Sequence, residues 1–306
     1  MPDGHARLVH ELFLRSFFGG PNVNPAMVDR LSGILDEQEI AAGHVLFRQG
    51  DVSDRIYFMS TGSVRMSRDD QRPYVYSGRW IVGGIDILNQ RPRRRTATLL
   101  ADAKVLSVRS DEWFDAIEET MEVPRDFIAM QLAGTARHIA RLAPEPFEPP
   151  RPSPPPPPHR LSLFERLVTF FDGPELRLCG VQTLSILADS CEEVRLEPGE
   201  LLIDAQTLRD HVYVVGHGAI ETTHVEPSMR GTFGRSSFVG GVCATSMGWS
   251  ARASAPSVVL ALPIEEWLDA MSYFDLFRCV MAWTGLERER VSETLAERTI
   301  TELVLE

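Results

Sequence analysis

The 306-residue sequence contains no apolar run approaching the roughly 20 residues that cross a bilayer, so a membrane span is not expected. Its first residues, "MPDGHARLVHELFLRSFF", lack both the apolar core and the small-residue cleavage site of a secretory signal; they read as the amphipathic start of a helix. Cysteine is scarce. Cys179, Cys191, Cys243 and Cys279 all lie in the second half without a CxxC pair, which suits buried free thiols in a reducing compartment better than a disulfide framework or a zinc site. There is no GxSxG elbow, HExxH, P-loop or Gly-rich dinucleotide fingerprint. His44, His211, His217 and His224 stand singly, with no HxH spacing, whereas a cupin-type metal enzyme needs clustered His and Glu on neighbouring strands. Positive charge is also in deficit, at net -12, which argues against broad nucleic-acid binding because phosphate backbones reward basic surfaces. The expectation is a cytoplasmic, non-enzymatic protein with no metal and no cofactor.

Against that background, two features are abundant. Between Pro144 and Pro158, ten of fifteen residues are proline, ending "PSPPPPP". Such a run takes up extended polyproline II, at about 3.1 Å per residue, and reads as a semi-rigid spacer of roughly 45 Å with a lesser role as a docking site for an aromatic groove. On either side of it the sequence repeats. "FFGGP" from Phe17 returns as "FFDGP" from Phe170, and "DRIYFMSTGSV" from Asp54 returns as "DHVYVVGHGAI" from Asp210. "VGGI" from Val82 answers "VGGV" from Val239, and "SDEWFDAI" from Ser110 answers "IEEWLDAM" from Ile264. The offset stays between 153 and 157, which marks duplication of a whole domain.

Each copy opens on helical spacing, as in "ARLVHELFLRSFF" and "PAMVDRLSGIL". Short strands follow between Gly/Asp turns: "HVLFRQ", "RIYFMST", "SVRMS", "TATLL" and "KVLSVR". Helices close it, "SDEWFDAIEETM" and "RDFIAMQLAGTARHIARL" in the first copy, with Trp113 and Trp267 as core packing of the closing helices. The expected fold class is α+β: two antiparallel, jelly-roll-like β-rolls, each flanked by N- and C-terminal helices. The expected domains are 1–143 and 159–306, joined by the linker 144–158.

The pattern G-x-x-L-F-x-x-G-D-x-x-D-x-x-Y-F-x-x-x-G-x-V, Gly43 to Val64, resembles the cyclic-nucleotide-binding domain of catabolite-activator-type regulators and cyclic-nucleotide-dependent kinases. That family holds its ligand in a phosphate-binding cassette, which "VGGIDIL" from Val82 and "RTAT" from Arg95 match in this sequence. The resemblance implies a ligand site of Gly83, Gly84, Ile85, Asp86, Arg95, Thr96 and Ala97, with cAMP or cGMP as the ligand. In it, a short helix after the glycines turns backbone N–H groups to the phosphate while an arginine, here Arg95, pairs with it. Gly84 departs from the family, whose Glu at that place accepts from the ribose hydroxyl; Asp86 is two residues away and matches the spacing poorly. In the second copy Trp249 falls opposite Arg95 and Arg252 fits only with a register shift, so that roll is expected not to bind a cyclic nucleotide.

Arg91, Arg93, Arg94 and Arg95 put four guanidinium groups into five residues of an acidic chain. A solvated loop and a cradle for one small anion remain as competing readings, with a nucleic-acid patch disfavoured. About 40 residues follow Trp267 and read as a final amphipathic helix, without the basic recognition helix of a DNA-binding regulator. Two functions stay open: a sensor whose first roll binds a cyclic nucleotide or other phosphorylated ligand and signals to an unidentified protein partner, without DNA or membrane, or a ligand-free β-roll scaffold.

Overall fold

The computed structural model describes residues 4–18, 25–119, 145–146, 148–151, 153–206, 209–224, 230–240, 248–297 and 302–304. The chain divides into two compact units, one of residues 1–127 with 288–306, the other of 128–287. The last 19 residues therefore group with the first repeat, whereas the repeat pattern alone assigns all of 159–306 to the second.

The first unit begins with α1 (Gly4–Phe18) and α2 (Pro25–Ser32); Met27, Val28 and Leu31 of α2 turn inward at helical spacing. Eight strands then build two sheets: β1 (Asp36–Ile40), β2 (Val45–Phe47), β3 (Arg55–Met59), β4 (Ser63–Arg68), β5 (Gln71–Ser77), β6 (Trp80–Val82), β7 (Thr96–Leu99) and β8 (Ala103–Arg109). One sheet runs β1-β8-β3-β6; the other runs β5-β4-β7-β2, with β16 (Glu302–Val304) added in parallel outside β5. Alternation faces Ile56 and Phe58, Val64 and Met66, and Ala97 and Leu99 inward, the period-2 pattern of strands with one buried face. The helix α3 (Gly84–Leu88) interrupts the strands, and α4 (Ser110–Glu119) closes the roll by laying Trp113 against Phe58, ring centroids 5.3 Å apart.

The second unit starts with α5 (Leu163–Phe171), whose capping box is complete: Ser162 Oγ accepts from the Glu165 N–H and Glu165 accepts from the Ser162 N–H. After α6 (Val181–Ser190) come β9 (Glu192–Leu196), β10 (Leu201–Ile203), β11 (His211–His217), β12 (Ile220–His224), β13 (Arg230–Phe233), β14 (Trp249–Ala253) and β15 (Ser257–Pro263). Their sheets, β11-β15-β9 and β10-β14-β12-β13, reproduce β3-β8-β1 and β2-β7-β4-β5 strand for strand. The α+β class and the two antiparallel rolls are therefore those expected from the repeat. α7 (Ile264–Ala270) buries Trp267 against Phe238, and α8 (Phe274–Glu297) follows, its residues from Arg288 onward belonging to the first unit.

Cys179, Cys191 and Cys279 are buried free thiols, while Cys243 and the helix "RDFIAMQLAGTARHIARL" lie outside the described residues. The described part of the proline run is not a bare spacer but lies along the second roll. Gly218 N–H donates to Ser153 Oγ at 2.9 Å, Arg195 Nη1 donates to the Pro157 carbonyl at 2.8 Å, and Gly234 packs against the backbone of Pro150 and Arg151. A polyproline chain leaves its carbonyls unpaired, and Arg195 takes one of them. Among the described residues no helix is long and apolar enough to cross a membrane, and no His/Cys/Asp/Glu group could hold a metal ion.

Candidate functional site

Strand β6 delivers the chain to the cassette by pairing with β3, Val82 opposite Tyr57. Gly83 follows at φ +86°, and a Cβ there would lie 2.6 Å from Arg93 Nη1 and 3.2 Å from the Phe47 ring. Conformation and space both demand glycine at that position. Gly84 is different: its φ is ordinary and a Cβ would meet only Ile81 Cγ2, at 3.5 Å. Local geometry therefore does not explain why a carboxylate is missing at Gly84. Ile85 and Asp86 form the first turn of α3, and the chain leaves it through Gln90, at φ 51°.

The four arginines differ in their surroundings. Arg93 is buried in the roll itself, its Nη1 donating to the Gly83 carbonyl at 2.6 Å and its Nη2 to the Arg55 carbonyl, with the guanidinium 4.2 Å above Phe47. Burial lowers its pKa, partly countered by Asp86 and Tyr57. Arg91 bridges two carboxylates, Asp86 Oδ1 and Glu289 Oε2, each at 2.7 Å. Arg94 is more exposed, reaches Glu289 Oε2 at 3.5 Å and donates its backbone N–H to Asp86 Oδ2. Asp86 is thus held by the arginine loop, and burial raises its pKa against the opposing pull of Arg91. It does not stand free as the ribose acceptor missing at Gly84.

Arg95 has only 2 % of its surface exposed. Its guanidinium lies over the Tyr74 ring, 4.7 Å from the centroid; Nη2 donates to Gln71 and to Glu293 Oε1, and Nε stands 3.9 Å from Glu289 Oε1. Burial acts to lower its pKa, but Tyr74, Glu293 and Glu289 outweigh it and the pKa is raised. Nε and Nη1 nevertheless have no hydrogen-bond partner among the described residues. Each such buried donor costs about 1–3 kcal/mol. Thr96 Oγ1 accepts from the Gln49 N–H at 3.0 Å, and Ala97 packs into the core opposite Met66.

The structure thus brings Asp86 and Arg95 into one charged cluster, with Gly83 fixed beside it through Arg93. Sequence reasoning missed Glu289 and Glu293, which complete that cluster from the C-terminal end of α8. Their signal was two acids four residues apart on a helix, which places both on one face.

The equivalent place in the second roll is filled. Trp249 has no exposed surface, and a Cβ on Gly240 would overlap its indole at 1.8 Å. Arg209 covers the same ring at 5.4 Å and donates Nη1 to the Gly240 carbonyl and Nη2 to the Val239 carbonyl. Arg252 lies on β14 opposite Glu221 and donates to the Gly199 carbonyl, leaving it no part in the cassette. Gly241 is outside the described residues.

Residues 37–120 match the family model described as the cyclic nucleotide-binding domain, which covers the first roll from β1 through α4. Over 128 residues the chain is 25% identical to a CRP-like cAMP-activated global transcriptional regulator of Mycobacterium tuberculosis; the alignment takes in 39% of this chain and 57% of that protein, so the chain spans little more than half its relative's length. Among solved structures it is similar to the regulatory domain of Toxoplasma gondii PKA with cAMP, at 15% identity and TM-score 0.37, covering 97% of this chain and 99% of that one. It is likewise similar to the regulatory subunit of a cAMP-independent protein kinase A from Trypanosoma brucei, at 12% identity and TM-score 0.37, covering 98% and 97%.

Proposed function

We propose that the first roll is the sensing part of a non-enzymatic regulatory protein, and that it binds a small phosphorylated ligand at Arg95. The match of residues 37–120 to a cyclic nucleotide-binding domain supports a regulatory role. The observation that carries the ligand claim is the pair of unsatisfied donors on Arg95. Arg93, which braces the roll, leaves only Nε without a partner among the described residues, whereas the almost wholly buried Arg95 leaves both Nε and Nη1. A phosphate brings several acceptor oxygens, and the planar fork of arginine can meet two at once. Thr96 keeps its hydroxyl hydrogen available, because the contact to Gln49 uses only its oxygen as acceptor. The second roll, filled by Trp249, acts as a ligand-free module for a protein partner, and ligand binding at the first roll is the signal that partner reads.

Calorimetric titration of the full chain with cAMP, cGMP, AMP and inorganic pyrophosphate tests this reading. Saturable binding of at least one, lost in Arg95→Ala, supports a sensor. Absence of binding by all of them at millimolar concentration overturns it in favour of the scaffold.

A further inference from the structure

Charge around Arg95 is balanced by the protein itself. Three guanidinium groups, Arg91, Arg94 and Arg95, face three carboxylates, Asp86, Glu289 and Glu293. Among the described neighbours, Arg68 pairs with Asp70 at 2.6 Å, and Arg93 faces Asp54 and Asp51 as well as Asp86. Tyr74, under the Arg95 guanidinium, and Tyr76 beside it are neutral phenols with raised pKa values, chiefly because both are buried. Asp86 belongs to the cassette and is tied to the Arg94 backbone, so it stays with the arginines. Glu289 and Glu293 come from far along the chain, on the last turns of α8.

We infer that the anion taken by this cassette carries at least two negative charges and binds by replacing the carboxylates of Glu289 and Glu293. This rests on the reading of Arg95 as a ligand-binding group and adds the ligand's charge and the group it displaces. Arg95 is almost wholly covered, so an incoming phosphate must displace what now covers it. Withdrawing both glutamates leaves the buried charge of Arg95 and the half-exposed one of Arg94 unopposed, and an uncompensated buried charge in a low-dielectric site is strongly unfavourable. A cyclic phosphodiester returns a single negative charge. A phosphomonoester, with about -1.5 to -2 at neutral pH, or a pyrophosphate group restores the balance. Nothing at Gly84 rewards a ribose hydroxyl, which removes a second advantage of the cyclic nucleotide. Glu289 and Glu293 then act as a tethered competitor whose effective concentration keeps the site closed until the ligand is abundant.

AMP and cAMP share base and sugar and differ in one phosphoester bond, which makes them the discriminating probes beside inorganic pyrophosphate. The measurement is calorimetric titration of the full chain and of the near-isosteric Glu289→Gln/Glu293→Gln variant, with hydrogen exchange followed over residues 288–297. AMP and pyrophosphate are expected to bind roughly tenfold or more tightly than cAMP, a difference of about 1.4 kcal/mol or more. Neutralising the two glutamates is expected to tighten pyrophosphate severalfold, and pyrophosphate is expected to cost residues 288–297 their protection. If the double variant does not fold, Glu293→Gln alone is expected to shift affinity in the same direction. Binding of cAMP as tight as that of AMP, or pyrophosphate affinity indifferent to the glutamates, overturns this inference and leaves the sensor intact. Silence with every probe brings down both.

Discussion

Arg93 and Arg94 are consecutive yet differ in what surrounds them, so one substitution has two different consequences. Arg93 ties the Gly83 and Arg55 carbonyls together over Phe47. Truncation to alanine strands two carbonyls and opens a gap beside the ring, with an expected loss of about 3 kcal/mol, since a hydrogen bond from a charged donor contributes about 1.5–3. Arg94 keeps 37 % of its side chain exposed and has one ion pair, at 3.5 Å. An exposed pair of that kind contributes about 0–1 kcal/mol, so Arg94→Ala is expected to leave stability nearly unchanged. Urea denaturation of the two variants checks the contrast; equal losses would show that Arg93 is not the brace assigned here. Gly83→Ala belongs with Arg93. Its Cβ would meet Arg93 Nη1 at 2.6 Å in a left-handed backbone, and a destabilisation of about 1–3 kcal/mol is expected in the same measurement.

At the scale of elements, β7 and β14 occupy the same place in their sheets but begin on Thr96, next to Arg95, and on Trp249. The indole fills its site so closely that Gly240 cannot carry a side chain. Trp249→Ala is therefore expected to destabilise the second roll by about 3–5 kcal/mol through the cavity it leaves, and to create no binding of cAMP or AMP. Denaturation and titration read the two effects, and gain of nucleotide binding would show that only the indole blocks the site. The strands legible in the sequence were those with alternating apolar residues, such as "RIYFM" and "TATL". β1, "DEQEI", was missed because its acidic residues have low strand propensity; it forms an edge paired to β8, most of which is buried. The cassette was legible through its glycines, which positive φ or close packing fixes in sequence. The partners of its arginines were not, because Glu289 and Glu293 lie almost two hundred residues away and local periodicity carries no information about such contacts.

At the scale of the whole molecule, stability should depend on pH through a carboxyl that duplication did not preserve. "FFDGPE" in the second copy ends on Glu175 where the first has Asn22. Glu175 is buried; its Oε2 has no hydrogen-bond partner among the described residues and its Oε1 accepts a long bond, 3.5 Å, from the Phe238 N–H. Desolvation raises its pKa from 4.5 to about 8; hydrogen bonds from the backbone oppose the rise, and Glu287 and Glu148 add to it. Below pH 4.5 the group is protonated both folded and unfolded and makes no difference. As pH rises from there toward 8, the unfolded chain releases the proton while the folded one keeps it, so stability falls with pH across that window. At about 1.4 kcal/mol per unit of pKa difference, the loss between pH 5 and pH 8 is about 3 kcal/mol. Glu175→Gln keeps the shape and removes the proton. Urea denaturation at pH 5, 6.5 and 8 should show wild type losing stability steeply relative to the variant, the two approaching each other at the acid end and the variant ahead at pH 8. Parallel profiles would mean that Glu175 is ionised in the folded protein and that its burial is compensated by a group outside the contacts described.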